Sequence, residues 1–308
     1  MFRILPDSPQ IEFMRWRLIF FAFSAVLMTA SLGFYFVQGL NFGIDFKGGV
    51  LIEVRTPGPA DLGAMRAKLG DLGLGEVALQ EFGEPTDVLI RVQKQEGGEE
   101  AQQRAIEILR AALGQEVEYR RVEFVGPKVG GELIMAGTTA VLLAIAAMLI
   151  YIWFRFEWQF GVGAVLALVH DVTATIGIFS VFQLEFNLST VAAILTIAGY
   201  SINDTVVIYD RVRENLRKYK RMPLEELFNR SINETLSRTI RTSVTTLLAL
   251  LALYFFGGEV IAGFSFAMIF GVLVGTYSSI CIAVPLILYM SLRRDSGEGG
   301  SSKVEETA

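Results

Sequence analysis

The residues of this 308-residue chain best suited to chemistry lie inside long apolar runs. Asp204 sits in Leu188 to Tyr209 (LSTVAAILTIAGYSINDTVVIY), a stretch that also carries Thr196, Tyr200 and Asn203. An ionised aspartate near the centre of a membrane-spanning helix costs about 2.5–3.5 kcal/mol. A chain bears that cost where the carboxyl is paired, protonated or turned to a wet cavity. Asp204 therefore reads either as a hydrogen bond between helices or as a proton or ion site. Asp171 follows His170 near the centre of another run, Phe160 to Phe182, with Thr175 one turn on. That pair reads either as a satisfied bridge between helices or as part of a titratable path. On a third run Arg238, Thr242 and Thr245 recur at helical spacing, with Ser237 and Arg241 nearby. Counting back about 20 residues at 1.5 Å each from Gly257-Gly258-Glu259 places Arg238 near the depth of Asp204. An arginine within reach favours the carboxylate, whereas burial favours the neutral acid. Proton uptake by Asp204 would then release Arg238. The alternative for Arg238 and Arg241 is snorkelling to the headgroups.

Composition narrows the chemistry. The chain is 52% hydrophobic, and several runs near twenty residues lack charge, which indicates a polytopic membrane protein. One His and one Cys, far apart in sequence, argue against a metal centre, and no nucleophile stands beside His170 to make a hydrolase. No Gly-rich loop followed by Lys-Ser or Lys-Thr is present, so any work is driven by a gradient or a partner and not by an ATP site of this chain.

The elements that must position these residues follow in order. Residues 1–17 are a basic N-terminal segment with Arg3, Arg15 and Arg17, and 18–37 a first span, read as uncleaved although Thr29-Ala30-Ser31 resembles a signal cleavage region. Residues 38–132 form a polar module that opens on Asn41-Phe42-Gly43-Ile44-Asp45-Phe46-Lys47-Gly48-Gly49. Its strands and helices are expected in the order β-α-β-β-α-β: Val50–Arg55, Leu62–Leu69, Val77–Phe82, Val88–Gln93, Glu99–Leu113 and Val117–Val125. That order predicts a small α+β ferredoxin-like sandwich. Its acids outnumber its bases, so no nucleic-acid face is expected. Val125-Gly126-Pro127-Lys128-Val129-Gly130-Gly131 predicts a fixed bend, a candidate hinge, where strand gives way to helix. The remaining spans are 133–154, 160–182, 188–209, 236–256 and 264–290. Residues 210–235 form a basic loop and amphipathic helix, and 293–308 a disordered tail. No break is visible from Leu224 to Phe256, so the surface helix is expected to run into the fifth span.

Six spans place both termini on one side. Arg3, Arg15, Arg17, the basic loop and Arg293-Arg294 share it, so the positive-inside rule makes that side cytoplasmic and 38–132 external.

Phe42 to Gly49, Val125-Gly126-Pro127-Lys128-Val129-Gly130, His170-Asp171-Val172, Gly199 to Val207 with Asp210-Arg211-Val212-Arg213-Glu214-Asn215, and Ser237-Arg238-Thr239 together resemble the SecF side of the SecD/SecF family of bacterial protein export. The resemblance runs from the first span to the sixth. It implies a fold related to the resistance-nodulation-division transporters, with six helices as one half of the bundle and SecD, as a separate chain, as the other. It implies an inner-membrane subunit that works with SecYEG and SecA on unfolded preproteins, uses the proton-motive force and needs no cofactor. It also implies that Asp204 is the fourth-span acid of proton passage and Arg238 its fifth-span partner. Asn203, Asp171 and His170 complete the candidate relay. Gly43, Asp45, Gly48 and Gly49, with Gly126, Pro127 and Gly130, are the motif and hinge positions. A scaffold that only docks SecD is the competing reading, while a free-standing efflux pump is disfavoured because six spans make half of such a fold.

Overall fold

The computed structural model describes residues 10–290 apart from 76, 115, 126 and 258–260. Expectations for Arg3, Gly126, Gly258, Glu259, Arg293, Arg294 and the tail 293–308 lie outside the described residues.

Among the described residues, six helices are long and apolar enough to cross a bilayer. They are α1 (Arg17–Gln38), α5 (Pro127–Arg155), α6 (Trp158–Phe182), α7 (Leu188–Lys218), α8 (Leu224–Phe256) and a composite sixth span. The sixth span is α9 (Ala262–Ser278), a π turn (Ser279–Ala283) and α10 (Val284–Leu288). Pro285 has no N–H, so a carbonyl one turn earlier loses its helical donor and the ladder widens there. Helices α6, α7 and α9 form the centre of the bundle, with α1 along α6 and α8 against α7 and α9.

Two helix ends differ from expectation. Helix α5 begins at Pro127, so Pro127, Gly130 and Gly131 belong to the second long helix and not to a bend. Proline is well placed at a first helical position, and glycine in a helix costs only about 1 kcal/mol. Helix α7 runs nine residues past Tyr209 into the basic stretch. Ion pairs explain the extension: Asp210 accepts from Arg155 at 2.6 Å, and Arg211 reaches both Glu214 and Glu234 at 2.6 Å. Helix α8 is continuous through the fifth span.

Between α1 and α5 lies the outer domain. Its main sheet uses β2 (Gly49–Arg55), β3 (Val77–Phe82), β4 (Glu84–Val92) and β5 (Glu118–Val125), in the order β3-β4-β2-β5 with every neighbour antiparallel. Helices α3 (Leu62–Gly70) and α4 (Glu99–Leu113) supply Leu69 and Leu109 to a core with Val50, Ile52, Val54, Val88, Ile90 and Val92. This is the β-α-β-β-α-β sandwich. Its hairpin is tighter than expected: Gly83 alone turns the chain, at φ 66°, and Glu84-Pro85 are already in the strand.

Close helix approach depends on glycine. A Cβ at Gly177 on α6 would overlap the Ser31 side chain and lie 2.7 Å from its Cα on α1. Gly177→Val should therefore push α1 off α6 at a cost of about 1–3 kcal/mol. A lowered unfolding midpoint in detergent, with faster thiol labelling of a Ser24→Cys reporter, would show it, and an unchanged midpoint would contradict it.

Candidate functional site

The site is built along α7, and α7 is anchored first at its outer start. Short strands β1 (Asn41–Phe42) and β6 (Glu185–Phe186) pair in parallel. Between β1 and β2, the single-turn helix α2 (Ile44–Lys47) carries Asp45. Asp45 Oδ2 accepts from the Leu188 N–H at 2.9 Å, across 143 residues of sequence, while Asn187 caps the same turn by accepting from Thr190 N at 3.0 Å. Gly43 N donates to Phe186 O at 2.8 Å, and a Cβ there would meet Glu185 Oε1 at 2.6 Å. Gly48 and Gly49 take φ of 72° and 128°, which lets β2 start against the Val92 carbonyl. The Phe-Gly-Ile-Asp-Phe-Lys-Gly-Gly motif is thus a joint between the outer domain and the helix that carries Asp204. Arg91 of β4 adds an ion pair to Glu185 at 2.6 Å.

Asp204 lies sixteen residues along α7, about 24 Å from its outer start. It is 8% exposed. Its Oδ1 accepts from Thr239 Oγ1 of α8 at 2.7 Å, and its Oδ2, also buried, has no hydrogen-bond partner among the described residues. Arg238 is at the expected depth but is exposed, and among the described residues no ion pair joins it to Asp204. Successive helical residues are about 100° apart, so with Thr239 turned to α7, Arg238 faces away. Asn203 is exposed too, in a stripe with Ala192, Thr196 and Gly199 along α7. Arg238, Arg241, Thr242 and Thr245 make a matching exposed stripe on α8. Tyr200 donates to Ser243 at 3.3 Å, and Ser243 pairs with Thr276 at 2.7 Å.

Asp171 is fully buried on the other side of α7. Its Oδ2 accepts from Ser201 at 2.5 Å and Ser278 at 2.7 Å, and its Oδ1 lies 3.0 Å from His170 Nδ1. One carboxyl thereby ties α6, α7 and the sixth span. Thr175 only back-bonds to the Asp171 carbonyl at 2.8 Å. Thr205 and Ser279 continue the contact at 2.8 Å, at the π turn. Gly275 makes room for it: a Cβ there would sit 3.2 Å from Ser201 Cβ.

The five relay candidates therefore divide. His170 and Asp171 form one network and Asp204 a second, while Asn203 and Arg238 face out of the bundle. Among the described residues no hydrogen bond joins the two networks, although Ser201 and Asp204 are one turn apart. Thr239 and Ser201 entered only as members of the quoted motifs, and Ser278, Arg91 and Glu185 were not among the candidate site residues. Helical spacing from Asp204 would have found Ser201, but nothing local distinguishes Ser278 from the other hydroxyls of its run.

Residues 105–293 match the family described as protein export membrane protein SecD/SecF, C-terminal, and residues 36–56, which include Gly43, Asp45, Gly48 and Gly49, match the SecD/SecF GG motif. The chain is 50% identical over 296 residues to the protein translocase subunit SecF of Rickettsia felis, covering 95% of this chain and 96% of that one. It is 46% identical over 308 residues to the protein of the same name from Rhodobacter capsulatus, covering 95% and 92%. Among solved structures it is similar to SecDF of Thermus thermophilus, described as a translocon-associated membrane protein, with a TM-score of 0.84 and 37% identity. That match covers 93% of this chain and 39% of that one. A SecDF structure in a super-membrane-facing form gives a TM-score of 0.69 and 36% identity, covering 94% and 39%. The chain thus spans about two-fifths of the length of either SecDF chain.

Proposed function

The chain belongs to the SecF family of protein translocase subunits, and from that premise we propose that it is one half of a proton-driven export assembly whose other half is a separate SecD chain. The observation that carries this reading is the open polar face of α7 and α8 beside a half-satisfied Asp204. Arginines and an asparagine turned to hydrocarbon are costly, and helices of a second membrane chain relieve that cost by covering them. The SecDF chains, of which this one matches about two-fifths, have length to supply such helices.

In this reading Asp204 takes up and releases the transported proton. As a carboxylate it accepts from Thr239 and attracts Arg238. When it is neutral that attraction is gone, and α7 can shift against α8. The outer joint at Asp45 passes the shift to the domain of residues 38–132, which acts on the preprotein after the SecA-driven step through SecYEG. One charge crossing the membrane field supplies about 2.3 kcal/mol per 100 mV. No cofactor and no enzymatic step are required. Arg17, Arg155, Arg211, Arg213, Arg217 and Lys218 cluster at the end of the bundle opposite the outer domain, which supports a cytoplasmic-membrane orientation with both termini inside and 38–132 outside.

The test is preprotein export into inverted vesicles that contain the chain, SecD, SecYEG and SecA, with the gradient intact or collapsed. Export that rises with the gradient only when the chain is present supports coupling. Stimulation that survives collapse would leave the chain as a scaffold for SecD.

A further inference from the structure

Phe156, in the turn between the second and third spans, is buried and packs against Tyr209 at 5.8 Å and Phe160 at 6.0 Å between ring centroids. Two guanidinium groups lie on this fixed ring. Arg155 closes α5 with its Cζ 5.1 Å from the centroid, and Arg213 of α7 has its own at 5.3 Å. Asp210 answers Arg155 at 2.6 Å. Arg213 donates to the Arg155 carbonyl at 3.1 Å, and no carboxylate pairs with it among the described residues. The ring and that bond set the plane of the Arg213 guanidinium and leave most of its five N–H groups for another acceptor.

Arg213 borders a groove of about 590 Å³ whose lining is wholly charged: Arg155, Asp210, Arg213, Glu214, Arg217 and Lys218. Both acids are already engaged, Asp210 by Arg155 and Glu214 by Arg211 at 2.6 Å. Arg217 and Lys218 are exposed, and neither pairs with an acid among the described residues. Arg213 and Arg217 are four residues apart and share one face of α7. The groove therefore lacks negative charge. We propose that it seats the headgroup phosphate of an anionic phospholipid, with Arg213 and Arg217 as donors and the acyl chains lying along Trp153 and Trp158.

Depth favours a lipid as the source of the phosphate. Counting about 20 residues from Leu188 puts the inner edge of the hydrocarbon near Ile208. Arg213 then stands about 7 Å beyond it, within the headgroup band. Side chains on a helix tilt toward its N-terminus, so those of Arg217 and Lys218, one turn further, lean back toward the bilayer. Trp153 and Trp158 flank the groove at 79% and 62% exposure, where indole rings meet the headgroup level. Basic residues gather at this end of the bundle in any case. What sets the groove apart is Arg213, held against a buried ring without an acid of its own. The site is remote from Asp204 and does not depend on its titration.

The chain has three tryptophans, so Trp16→Phe leaves only the two beside the groove. The full-length Trp16→Phe chain is reconstituted, alone and with a SecD freed of tryptophan, in phosphatidylethanolamine vesicles with a minor share of phosphatidylglycerol. Each lipid in turn is supplied with brominated acyl chains, in equal amount, because bromine quenches a tryptophan that it touches. The expected result is stronger quenching by brominated phosphatidylglycerol, with SecD or without. One basic residue beside an anionic surface strengthens binding about fivefold, so Arg217→Gln should cut the preference about fivefold. Arg217 makes no ion pair among the described residues, so this variant leaves the fold intact. Arg213→Gln should lower the preference at least as much. Arg15→Gln with Arg221→Gln removes two charges outside the groove and should leave the preference in place. Equal quenching by the two lipids, or an equal loss in the Arg15 and Arg221 variant, would reduce the site to general surface attraction and overturn the proposal. A preference erased by inorganic phosphate at matched ionic strength would mark a site for soluble anions. One erased by SecD would mark a protein face, and either result overturns the lipid assignment.

Discussion

Asp204→Asn is expected to leave the chain folded and assembled with SecD while export falls to the level seen with the gradient collapsed. The amide matches the carboxyl in shape, and its oxygen can still accept from the Thr239 hydroxyl that now lies 2.7 Å from Oδ1. Its nitrogen takes the place of Oδ2, which already lacks a partner, so the substitution disturbs no hydrogen bond formed within the chain. An unpaired buried amide costs about 1–3 kcal/mol, which a six-helix bundle with two apolar clusters tolerates. What disappears is titration. Thr239→Val is the informative companion. It keeps the acid and removes its hydroxyl partner, and should weaken coupling without abolishing it. The measurement is gradient-dependent export in reconstituted vesicles, with co-purification of SecD as the control for assembly. A well-assembled Asp204→Asn protein that still responds to the gradient would place the proton route elsewhere.

How far this site could be read from the sequence depends on which coordinate is asked for. Depth was legible, because counting residues at 1.5 Å each put Asp204 and the Ser237-Arg238-Thr239 segment at one level. Direction around the helix was not. One residue is about 100°, and charge attracts the eye to Arg238 where packing turns Thr239 inward. The outer sandwich was legible because its strands alternate, and Val50, Ile52 and Val54 all face one core. The α7 extension past Tyr209 was hidden because it depends on Glu234, which comes from α8, and on Arg155 at the end of α5. Likewise the glycines after Gly126 suggested a bend, yet a glycine breaks a helix only when tertiary packing also favours the break. The tie of Asp171 to Ser278 joins residues 107 apart, and no periodicity encodes such a contact.

Arg91→Ala is expected to loosen the outer domain from α7. The other ties at this joint, from Asn41, Gly43 and Asp45, come from the root of the domain, whereas Arg91 reaches down from the sheet itself and so sets the domain's tilt. The Arg91 and Glu185 side chains are 19% and 27% exposed. Removing one member of a fully buried pair costs about 3–5 kcal/mol, and this partly wet pair should lose about 1–3 kcal/mol. The pH dependence follows from Glu185. Burial pushes its carboxyl above the usual range, Arg91 pulls it back, and the nearby Asp45 pushes it up again, with burial prevailing. A carboxyl raised in the docked state binds its proton more tightly there than when free. Its contribution to docking is therefore complete below the ordinary glutamate value of about 4.3 and is lost as pH rises through the raised one. Without Arg91 that upper limit moves higher still, so the variant should dock well only on the acid side. Glu185→Gln in the Arg91→Ala background removes the uncompensated carboxylate and should restore docking at neutral pH. Spin labels at Lys68→Cys on the domain and Phe182→Cys at the end of α6 would report it as a distance distribution that broadens in Arg91→Ala and narrows again in the double variant. A distribution unchanged by Arg91→Ala at neutral pH would mean that the root ties alone hold the domain, and that the ion pair contributes nothing to its orientation.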